Sequence, residues 1–180
     1  YELALSSKLV DMVKLYKIDV LHVHYAIPHA YAGYMAKQML AEEGISLPMI
    51  TTLHGTDITL VGNHPFYKSA VTFSINKSDF VTSVSDSLKE DTYRLFDLNK
   101  EIHVIPNFIE ISENPDLEKS ICQRSVLAGS NERIITHISN FRKVKNIPDV
   151  VKVFYNVQKE IPSKLMMVGE GPEKAIAEKL

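Results

Sequence analysis

The fold is decided by Pro48-Met-Ile-Thr-Thr-Leu-His-Gly-Thr-Asp57, where an apolar and β-branched run passes directly into a polar loop that contains a glycine. Such a run is typical of a strand that is covered on both faces, as in a parallel sheet. Patterns typical of helices precede and follow it, at 31–43 and 65–77. Because strands that alternate with helices indicate βαβ units, the sequence predicts a parallel sheet with helices packed beside it.

The alternation continues outward from this stretch. Apolar residues at helical spacing predict an amphipathic helix over 2–17. The sequence Ser87-x-x-Glu90 has the form of a capping box, which predicts a helix that begins there and runs to about Phe96. Further strands are predicted at 19–24, 79–84 and 101–105.

A polar stretch interrupts this rhythm at 108–130, with a short helix predicted inside it at 115–127. The alternation then restarts. Gly169-Glu-Gly-Pro172 is expected to open the last helix, with Pro172 at its first position. The remaining elements are predicted as strands at 133–138 and 164–168 around a helix at 147–161.

The sequence therefore predicts an α/β protein built from two Rossmann-like domains with parallel sheets. The predicted bounds are 1–107 for the first domain, 108–130 for a linker and helix, and 131–180 for the second domain. Both domains are expected to be present only in part, because the chain opens inside a helical pattern and closes without a stop signal.

The composition excludes several classes of protein. The chain has 180 residues, with 20 Lys and Arg against 22 Asp and Glu, and this near-neutral balance argues against a general nucleic-acid binder. No apolar run reaches the roughly 18 residues that a membrane span requires, so stable membrane insertion is not expected. The single cysteine, Cys122, excludes an intramolecular disulfide and a Cys-rich zinc module, and it favours a reducing cytoplasm as the location.

Polar side chains follow the first predicted strand, at the edge where open parallel sheets bind ligands. His22 and His24 are two residues apart and therefore share one face of that strand. With His54 or Asp57 they could hold a metal ion. The alternatives are imidazoles hydrogen-bonded between the sheet and its helices, or a ligand that is lined by the Tyr25 end of the strand.

The loop His54-Gly-Thr-Asp57 presents an imidazole, a hydroxyl and a carboxylate at the same edge. Gly55 would let the backbone approach a ligand closely. The alternative is a helix cap by Thr56 or Asp57 beside a packed His54. A functional role is favoured, because one cap needs fewer polar groups than this loop supplies.

Two loops of the second domain are candidates for binding a phosphorylated ligand. Ser139-Asn-Phe-Arg142-Lys-Val-Lys145-Asn146 places cations before a predicted helix N-terminus, which suits a diphosphate, although a solvated basic turn has the same composition. Val168-Gly-Glu-Gly171-Pro172 could approach a nucleoside or form an ordinary tight turn. It is not a G-x-G-x-x-G fingerprint, because the third glycine is absent.

Taken together, these motifs resemble a retaining GT-B glycosyltransferase of the family-4 type. The stretches HVHYAIPHAYAGYMAKQML, TTLHGTDIT, PNFI and HISNFRKVKN are similar to the branch of that family that acts in bacillithiol biosynthesis. The resemblance implies an enzyme that moves N-acetylglucosamine from UDP-N-acetylglucosamine to L-malate with retention. It implies no cofactor and no metal ion, so that protein cations stabilise the departing diphosphate.

The resemblance also implies a set of site residues. His54 would face the donor sugar, and Arg142 and Lys145 would hold the diphosphate. The usual family loop reads Gly-Arg-x-x-x-x-Lys, whereas Asn140 stands in that register here, so Lys145 is the firmer assignment. The other donor-binding residues would be Asn107, Ser139, Asn140, Gly169, Glu170 and Gly171. The acceptor-binding residues would be Tyr25, Thr52 and Thr56.

The sequence leaves three questions open: which residue supplies the cation for malate, whether residues 1–180 are active alone, and which of several functions the protein has. Thr72 stands where relatives carry a basic residue, so the cation for the malate carboxylates could come from Lys68. The Gly-rich donor loop is expected before residue 1 and the Glu-x7-Glu segment after Leu180, which predicts that residues 1–180 alone are inactive. The rival functions are a GT-B transferase with a lipid or polysaccharide acceptor, a non-catalytic nucleotide-sugar-binding module, and a metal hydrolase. A homo-oligomer is compatible with each of them.

Overall fold

A computed structural model describes residues 1–62, 64–109 and 124–180 of the chain. The chain divides into two compact units, Tyr1–Glu110 and Ile111–Leu180. Cys122 and most of the helix predicted at 115–127 lie outside the described residues.

The first unit alternates helices and strands in the order that the sequence predicts. Its helix α1 ends at Lys17, which has the left-handed φ of 53°. Helix α3 begins with Pro65 at its first position, where a missing N–H costs nothing. The elements are α1 (Glu2–Tyr16), β1 (Leu21–His24), α2 (Tyr31–Glu42), β2 (Met49–Leu53), α3 (Pro65–Lys77), β3 (Phe80–Ser83), α4 (Asp86–Leu95) and β4 (Ile102–Val104).

The four strands form one parallel sheet in the order β1-β2-β3-β4. One face packs against the helices through a core that includes Leu53, Val71 and Ile102. The side chains of a strand alternate between the two faces of the sheet, so the residues between the core residues point to the other face. The register places four of its polar residues side by side across the sheet, one per strand: His24, Thr52, Thr82 and His103.

Compact turns follow β1 and β2, and they cover Ala26–Ala30 and Thr56–Leu60. The second is helical, whereas the first contains an extended residue, Ile27, with a φ of −134° and a ψ of 144°. The sequence predicts a polar loop that contains glycine over 54–63, where the structure has this second turn. Both turns begin at the carboxyl edge of the sheet, and they carry the candidate residues of this unit.

The second unit contains a two-stranded parallel sheet with one long helix. The sheet is formed by β5 (Arg133–Ile138) and β6 (Ser163–Val168), and α6 (Ile147–Glu160) connects them. A single turn of 3₁₀ helix at Lys143–Lys145 precedes α6, whose N-cap is Asn146 at a φ of 49°. The short helices are α5 (Arg124–Leu127) and α7 (Lys174–Ala177).

Two predicted helix starts are wrong. Helix α4 is capped by Ser85, whose hydroxyl accepts from the N–H of Leu88, and not by a Ser87 capping box. Helix α7 begins at Lys174 with Glu173 as its N-cap, so Pro172 precedes the helix and does not occupy its first position. Among the described ranges, no helix is long and apolar enough to cross a bilayer.

Candidate functional site

Two histidines from neighbouring strands meet at the carboxyl edge of the first sheet. His24 is the last residue of β1, and His54 is the first residue after β2. The Nδ1 atom of His24 lies 2.8 Å from the Nε2 atom of His54, so the two imidazoles share a hydrogen bond. Because β1 and β2 are parallel and adjacent, residues far apart in sequence are brought together here by the register alone.

The carboxylate of Asp57 joins the two turns that carry these histidines. Its Oδ1 accepts from the backbone N–H groups of His54 and Gly55, and its Oδ2 accepts from the N–H of Ala26 at 2.8 Å. Asp57 is buried, and three backbone donors satisfy its charge. The sequence alternative of a helix cap by Thr56 or Asp57 is wrong, because no side chain among the described residues caps the second turn and the Asp57 carboxylate joins the two turns instead.

Tyr25 has an unusual backbone at the start of the first turn. Its φ of 79° and ψ of 132° lie in a region that favours glycine, so holding a tyrosine there costs conformational energy. Its N–H donates to the carbonyl of Thr52, which anchors the residue to β2. Its ring centre lies 5.0 Å from that of His54. The strained backbone thus directs the tyrosine ring onto the histidine.

One cavity lies on the Tyr25 side of this pair and has a volume of about 720 Å³. Tyr25 and Thr56, two of the predicted acceptor residues, both line it. We call it the tyrosine cavity, because Tyr31 and Tyr67 also line it. The sequence offered no signal for these two tyrosines, since each falls within an ordinary amphipathic helix.

A second cavity, of about 480 Å³, lies over the face of the sheet that carries the polar row. Its lining includes His54, Asn107 and Thr52, which the sequence predicts as site residues. We call it the histidine cavity, because His22, His24 and His103 also line it. Thr52 lines this second cavity and not the tyrosine cavity, so the structure does not bring it together with Tyr25 and Thr56, and its role at the acceptor stays a prediction.

The hydroxyl of Thr52 is already engaged within the sheet. It lies 2.8 Å from the Nε2 atom of His22 and 2.7 Å from the hydroxyl of Thr82. A hydroxyl with two such partners retains little capacity for a ligand. Thr52 therefore supports the polar face of the sheet through His22 and Thr82.

The environment of His22 and of His54 lowers the pKa of both side chains and so favours their neutral form. Burial is the first cause that lowers the pKa of His54, followed by repulsion from His24, and Asp57 opposes both. Burial and then His24 also lower the pKa of His22. A neutral imidazole has one N–H and one lone pair, so His54 can donate at one nitrogen and accept at the other.

The metal hypothesis for His22, His24 and His54 does not fit this geometry. The nitrogen atoms of His24 and His54 face each other at hydrogen-bond distance, which leaves no room for an ion between them. Within residues 1–62, 64–109 and 124–180, no group of three or more His, Cys, Asp or Glu side chains is arranged to hold a metal ion. The sequence alternative of hydrogen-bonded imidazoles describes these residues correctly.

The basic loop of the second unit carries three exposed cations just before α6. In the part of the chain that the structure describes, Arg142, Lys143 and Lys145 form no ion pair. Lys145 lines a cavity of about 420 Å³ at the start of α6, whereas Arg142 does not. Unpaired cations at a helix N-terminus suit an anionic ligand. The sequence pattern points to Arg142 and Lys145 and does not distinguish Lys143, which stands between them.

The predicted donor residues Ser139 and Asn140 belong to a loop that interlocks with Gly169, Glu170 and Gly171. The N–H of Phe141 donates to the carbonyl of Glu170 at 2.9 Å. A methyl group at Gly169 would collide with the carbonyl of Ser139, and one at Gly171 with the backbone of Phe141. These glycines are therefore required for the packing of one loop against the other, whether or not they contact a ligand.

The comparison with protein families matches residues 1–113 to Glycosyltransferase Family 4. The chain belongs to glycosyltransferase family 4. The parallel α/β architecture of this family-4 chain is that of a partial GT-B fold, which confirms the predicted fold class.

Two curated relatives are similar to the family-4 chain over most of its length. N-acetyl-alpha-D-glucosaminyl L-malate synthase of Bacillus anthracis is 43% identical over 173 residues, which cover 96% of this chain and 45% of that protein. Putative teichuronic acid biosynthesis glycosyltransferase TuaC of Bacillus subtilis (strain 168) is 24% identical over 164 residues, which cover 87% of this chain and 39% of that protein. The family-4 chain thus spans less than half the length of either relative.

Proposed function

We propose that the complete protein transfers N-acetylglucosamine from UDP-N-acetylglucosamine to L-malate with retention of configuration, the first step of bacillithiol biosynthesis. The observation that carries this proposal is the 43% identity to an N-acetyl-alpha-D-glucosaminyl L-malate synthase over 96% of the chain. That identity spans both units, including the edge where Tyr25, His54 and Thr56 meet. The reaction requires no cofactor and no metal ion.

The transfer exchanges one bond for another. The malate hydroxyl oxygen bonds to the anomeric carbon of the sugar, while the bond from that carbon to the β-phosphate oxygen breaks and leaves its electrons on UDP. The malate hydroxyl proton passes to the departing phosphate oxygen. Malate glycoside and UDP are the products, and positive charge develops on the sugar ring during the step.

The acceptor would occupy the tyrosine cavity. Tyr25 and Thr56 supply hydroxyl groups that can donate to carboxylate oxygens. Among the described residues that line this cavity there is no Lys or Arg, and the acidic residues are Glu2 and Asp57. A dianionic acceptor therefore calls for a cation from nearby, and Lys68, which follows the lining residue Tyr67 on α3, is the proposed source.

The donor diphosphate would lie at the start of α6. Arg142, Lys143 and Lys145 offset the charge that builds on UDP as the sugar leaves, and the N-terminus of α6 adds a favourable partial charge. Ser139, Asn140, Gly169, Glu170 and Gly171 would contact the rest of the nucleotide sugar, and Asn107 is proposed as a further donor-binding residue. Binding by fixed cations is stronger in the transition state, where the leaving group carries more charge.

His54 would stand beside the sugar. A neutral imidazole can accept a hydrogen bond from a sugar hydroxyl. It does not repel the positive charge that develops on the sugar ring, whereas an imidazolium would. The lowered pKa of His54 therefore matches the proposed step.

The test is made on the complete protein with UDP-N-acetylglucosamine and L-malate, with and without EDTA, and the malate glycoside is sought by mass spectrometry. Product that persists in EDTA is the expected result. Binding of the donor without transfer would indicate a non-catalytic module, and loss of product in EDTA would restore the metal hypothesis.

A different acceptor is the second candidate function. The 24% identity to a putative teichuronic acid biosynthesis glycosyltransferase favours a polysaccharide as the alternative. UDP release with a polysaccharide primer and none with malate would decide for it. The predicted cytoplasmic location and a homo-oligomeric state remain predictions.

A further inference from the structure

The hydrogen bond between His24 and His54 constrains both rings. Two imidazole nitrogens 2.8 Å apart can be joined only if one carries the proton and the other the lone pair. The Nε2 atom of His54 is engaged in this bond, so its Nδ1 atom points to the other side of the ring. No hydrogen-bond partner of that Nδ1 atom is found among the described residues.

The backbone of His24 is fixed within the sheet, and its side chain is exposed in the histidine cavity. It pairs with Thr52 in the register of β1 and β2, and its carbonyl accepts from the Nδ1 atom of His29 at 2.7 Å. Its ring lies against that of His22, with the centres 4.6 Å apart. His54, in contrast, stands after the end of its strand in a loop that Asp57 fixes through the backbone. His24 therefore presents its ring to His54 from a backbone position that the sheet fixes, and from there it can orient the side chain of His54.

We propose that His24 is a positioning residue for His54, a role that rests on the proposed function. The His24 imidazole holds the ring of His54 so that the Nδ1 atom of His54 faces the substrates in a single tautomer. Partners of this kind commonly fix the tautomer and the orientation of a functional histidine. His24 itself does not touch the reacting atoms.

The charges around the pair are consistent with this role. The groups that face it are His22 on the same strand, Tyr25 and His29 on the first turn, Asp57 on the second turn, and His103 across the sheet. If both rings carried a proton at the shared contact, two N–H groups would point at each other. Repulsion by His24 contributes to the lowered pKa of His54, which keeps the contact in its bonded form.

The test compares two substitutions of His24 in the complete protein. His24→Phe keeps a planar ring but has no nitrogen, whereas His24→Asn places an amide where the Nδ1 atom was. We expect kcat to fall about 10- to 100-fold in His24→Phe, because a misplaced group costs rate rather than binding, with KM for both substrates within about threefold. His24→Asn is expected to restore kcat to within about threefold of the wild type.

His64→Phe is the matched control for the exchange of a histidine for a phenylalanine. His64 caps α3 and lies outside both cavities, so its substitution is expected to leave kcat within about twofold. Equal rates in the wild type and His24→Phe would overturn the role of His24. So would a His24→Asn protein that is as slow as His24→Phe while folded, as judged by its thermal unfolding.

A second readout does not depend on the acceptor. The ¹⁵N spectrum of labelled histidines in the complete protein, with His54 assigned by a His54→Gln variant, reports the tautomer of His54. We expect one tautomer in the wild type and in His24→Asn, and a mixture in His24→Phe. If the wild type makes no malate glycoside, the proposed function fails, and this spectrum alone decides whether His24 fixes His54; an unchanged spectrum in His24→Phe overturns the inference.

Discussion

At the scale of single residues, Asp57 is the side chain on which the geometry of the site depends most. Its two oxygens hold the starts of both turns, so it sets the distance between the segment that carries Tyr25 and the segment that carries His54. An asparagine has almost the same shape but only one acceptor oxygen. It would therefore turn an N–H group toward a backbone N–H in one of the two turns.

We predict that Asp57→Asn lowers the free energy of unfolding by about 1–3 kcal/mol, the cost of leaving a buried donor without an acceptor. Denaturant unfolding of the complete protein measures this change. Asp97→Asn is the control, because Asp97 is exposed and only its backbone carbonyl is engaged, with Asn76. Equal stability of the two variants would contradict the role of Asp57.

The protonation of His54 leads to a pH prediction. Below its pKa, His54 becomes an imidazolium that opposes the positive charge of the transition state, so kcat should fall as the pH is lowered through that pKa. Because burial and His24 lower the pKa of His54, we expect a constant kcat through neutral pH and a decline only in the acid range. The decline should be absent from the residual activity of His54→Gln; its persistence there would assign the titration to another group.

At the scale of elements, the two loops of the second unit behave as one structure. Phe141 donates to Glu170, and its own carbonyl accepts from the N–H of Glu173, so the loop after β5 and the loop after β6 are joined in both directions. Gly171 has a φ of 156° in the middle of this contact. The shape of the proposed donor site therefore depends on the packing of Gly171 against Phe141, in addition to the donor contact proposed for this glycine.

We predict that Gly171→Ala destabilises the second unit by about 1–3 kcal/mol, because the methyl group meets the backbone of Phe141 in a backbone conformation that alanine disfavours. The affinity for UDP should fall in parallel, as measured by calorimetry. Gly129→Ala is the control, since a methyl group there meets only the carboxylate of Glu132 at ordinary contact distance. The role of the loop contact is refuted if both variants unfold and bind alike.

Helix α3 provides a test of the acceptor. Thr72 cannot supply a charge, and its hydroxyl donates to the carbonyl of Lys68. We predict that Lys68→Met raises KM for L-malate by about 10- to 150-fold, the usual cost of a lost charged hydrogen bond, while KM for the donor stays unchanged. Lys77→Met on the same helix is the control. An unchanged malate KM in Lys68→Met would place the cation elsewhere in the protein.

Element types were predictable from the sequence, and element ends were less so. Apolar periodicity, β-branched runs and one cap signal located the helices and strands of the first unit to within a few residues, because burial imposes a pattern of residue types on each element. The spacing of Ser87 and Glu90 predicts Ser87 as the cap of α4, yet it is the hydroxyl of Ser85 that accepts from the N–H of Leu88. Caps depend on backbone angles at single residues, which a pattern of types does not specify.

The candidate site was predictable in part for the same reason. His54, Tyr25 and Asn107 follow strands, and topology alone takes them to one edge of the sheet. The partners of Thr52 were not predictable, because they depend on the register of β1, β2 and β3, in which a shift of one residue would turn the side chain to the other face.

At the scale of the whole molecule, the chain is shorter than its relatives by more than half. We predict that residues 1–180 alone give no malate glycoside under conditions in which the complete protein does, because the resemblance implies a Gly-rich donor loop and a Glu-x7-Glu segment outside this range. Mass spectrometry of both reactions makes the comparison. Glycoside from residues 1–180 would show that those segments are dispensable.

The sheet order β1-β2-β3-β4 also bears on how acceptor specificity could change. Strands that are neighbours in space are also consecutive in sequence, so His24, Tyr25, His54, Thr56 and Asp57 all fall within one stretch of the chain. The hydrogen bonds that Asp57 makes to both turns, and the hydrogen bond between His24 and His54, lie within that stretch. A single recombination between two family members, with crossovers before β1 and after the second turn, would therefore transplant these residues together with the contacts that orient them. A protein arranged in this way can acquire a new acceptor by exchanging a module, without many separate compensating substitutions.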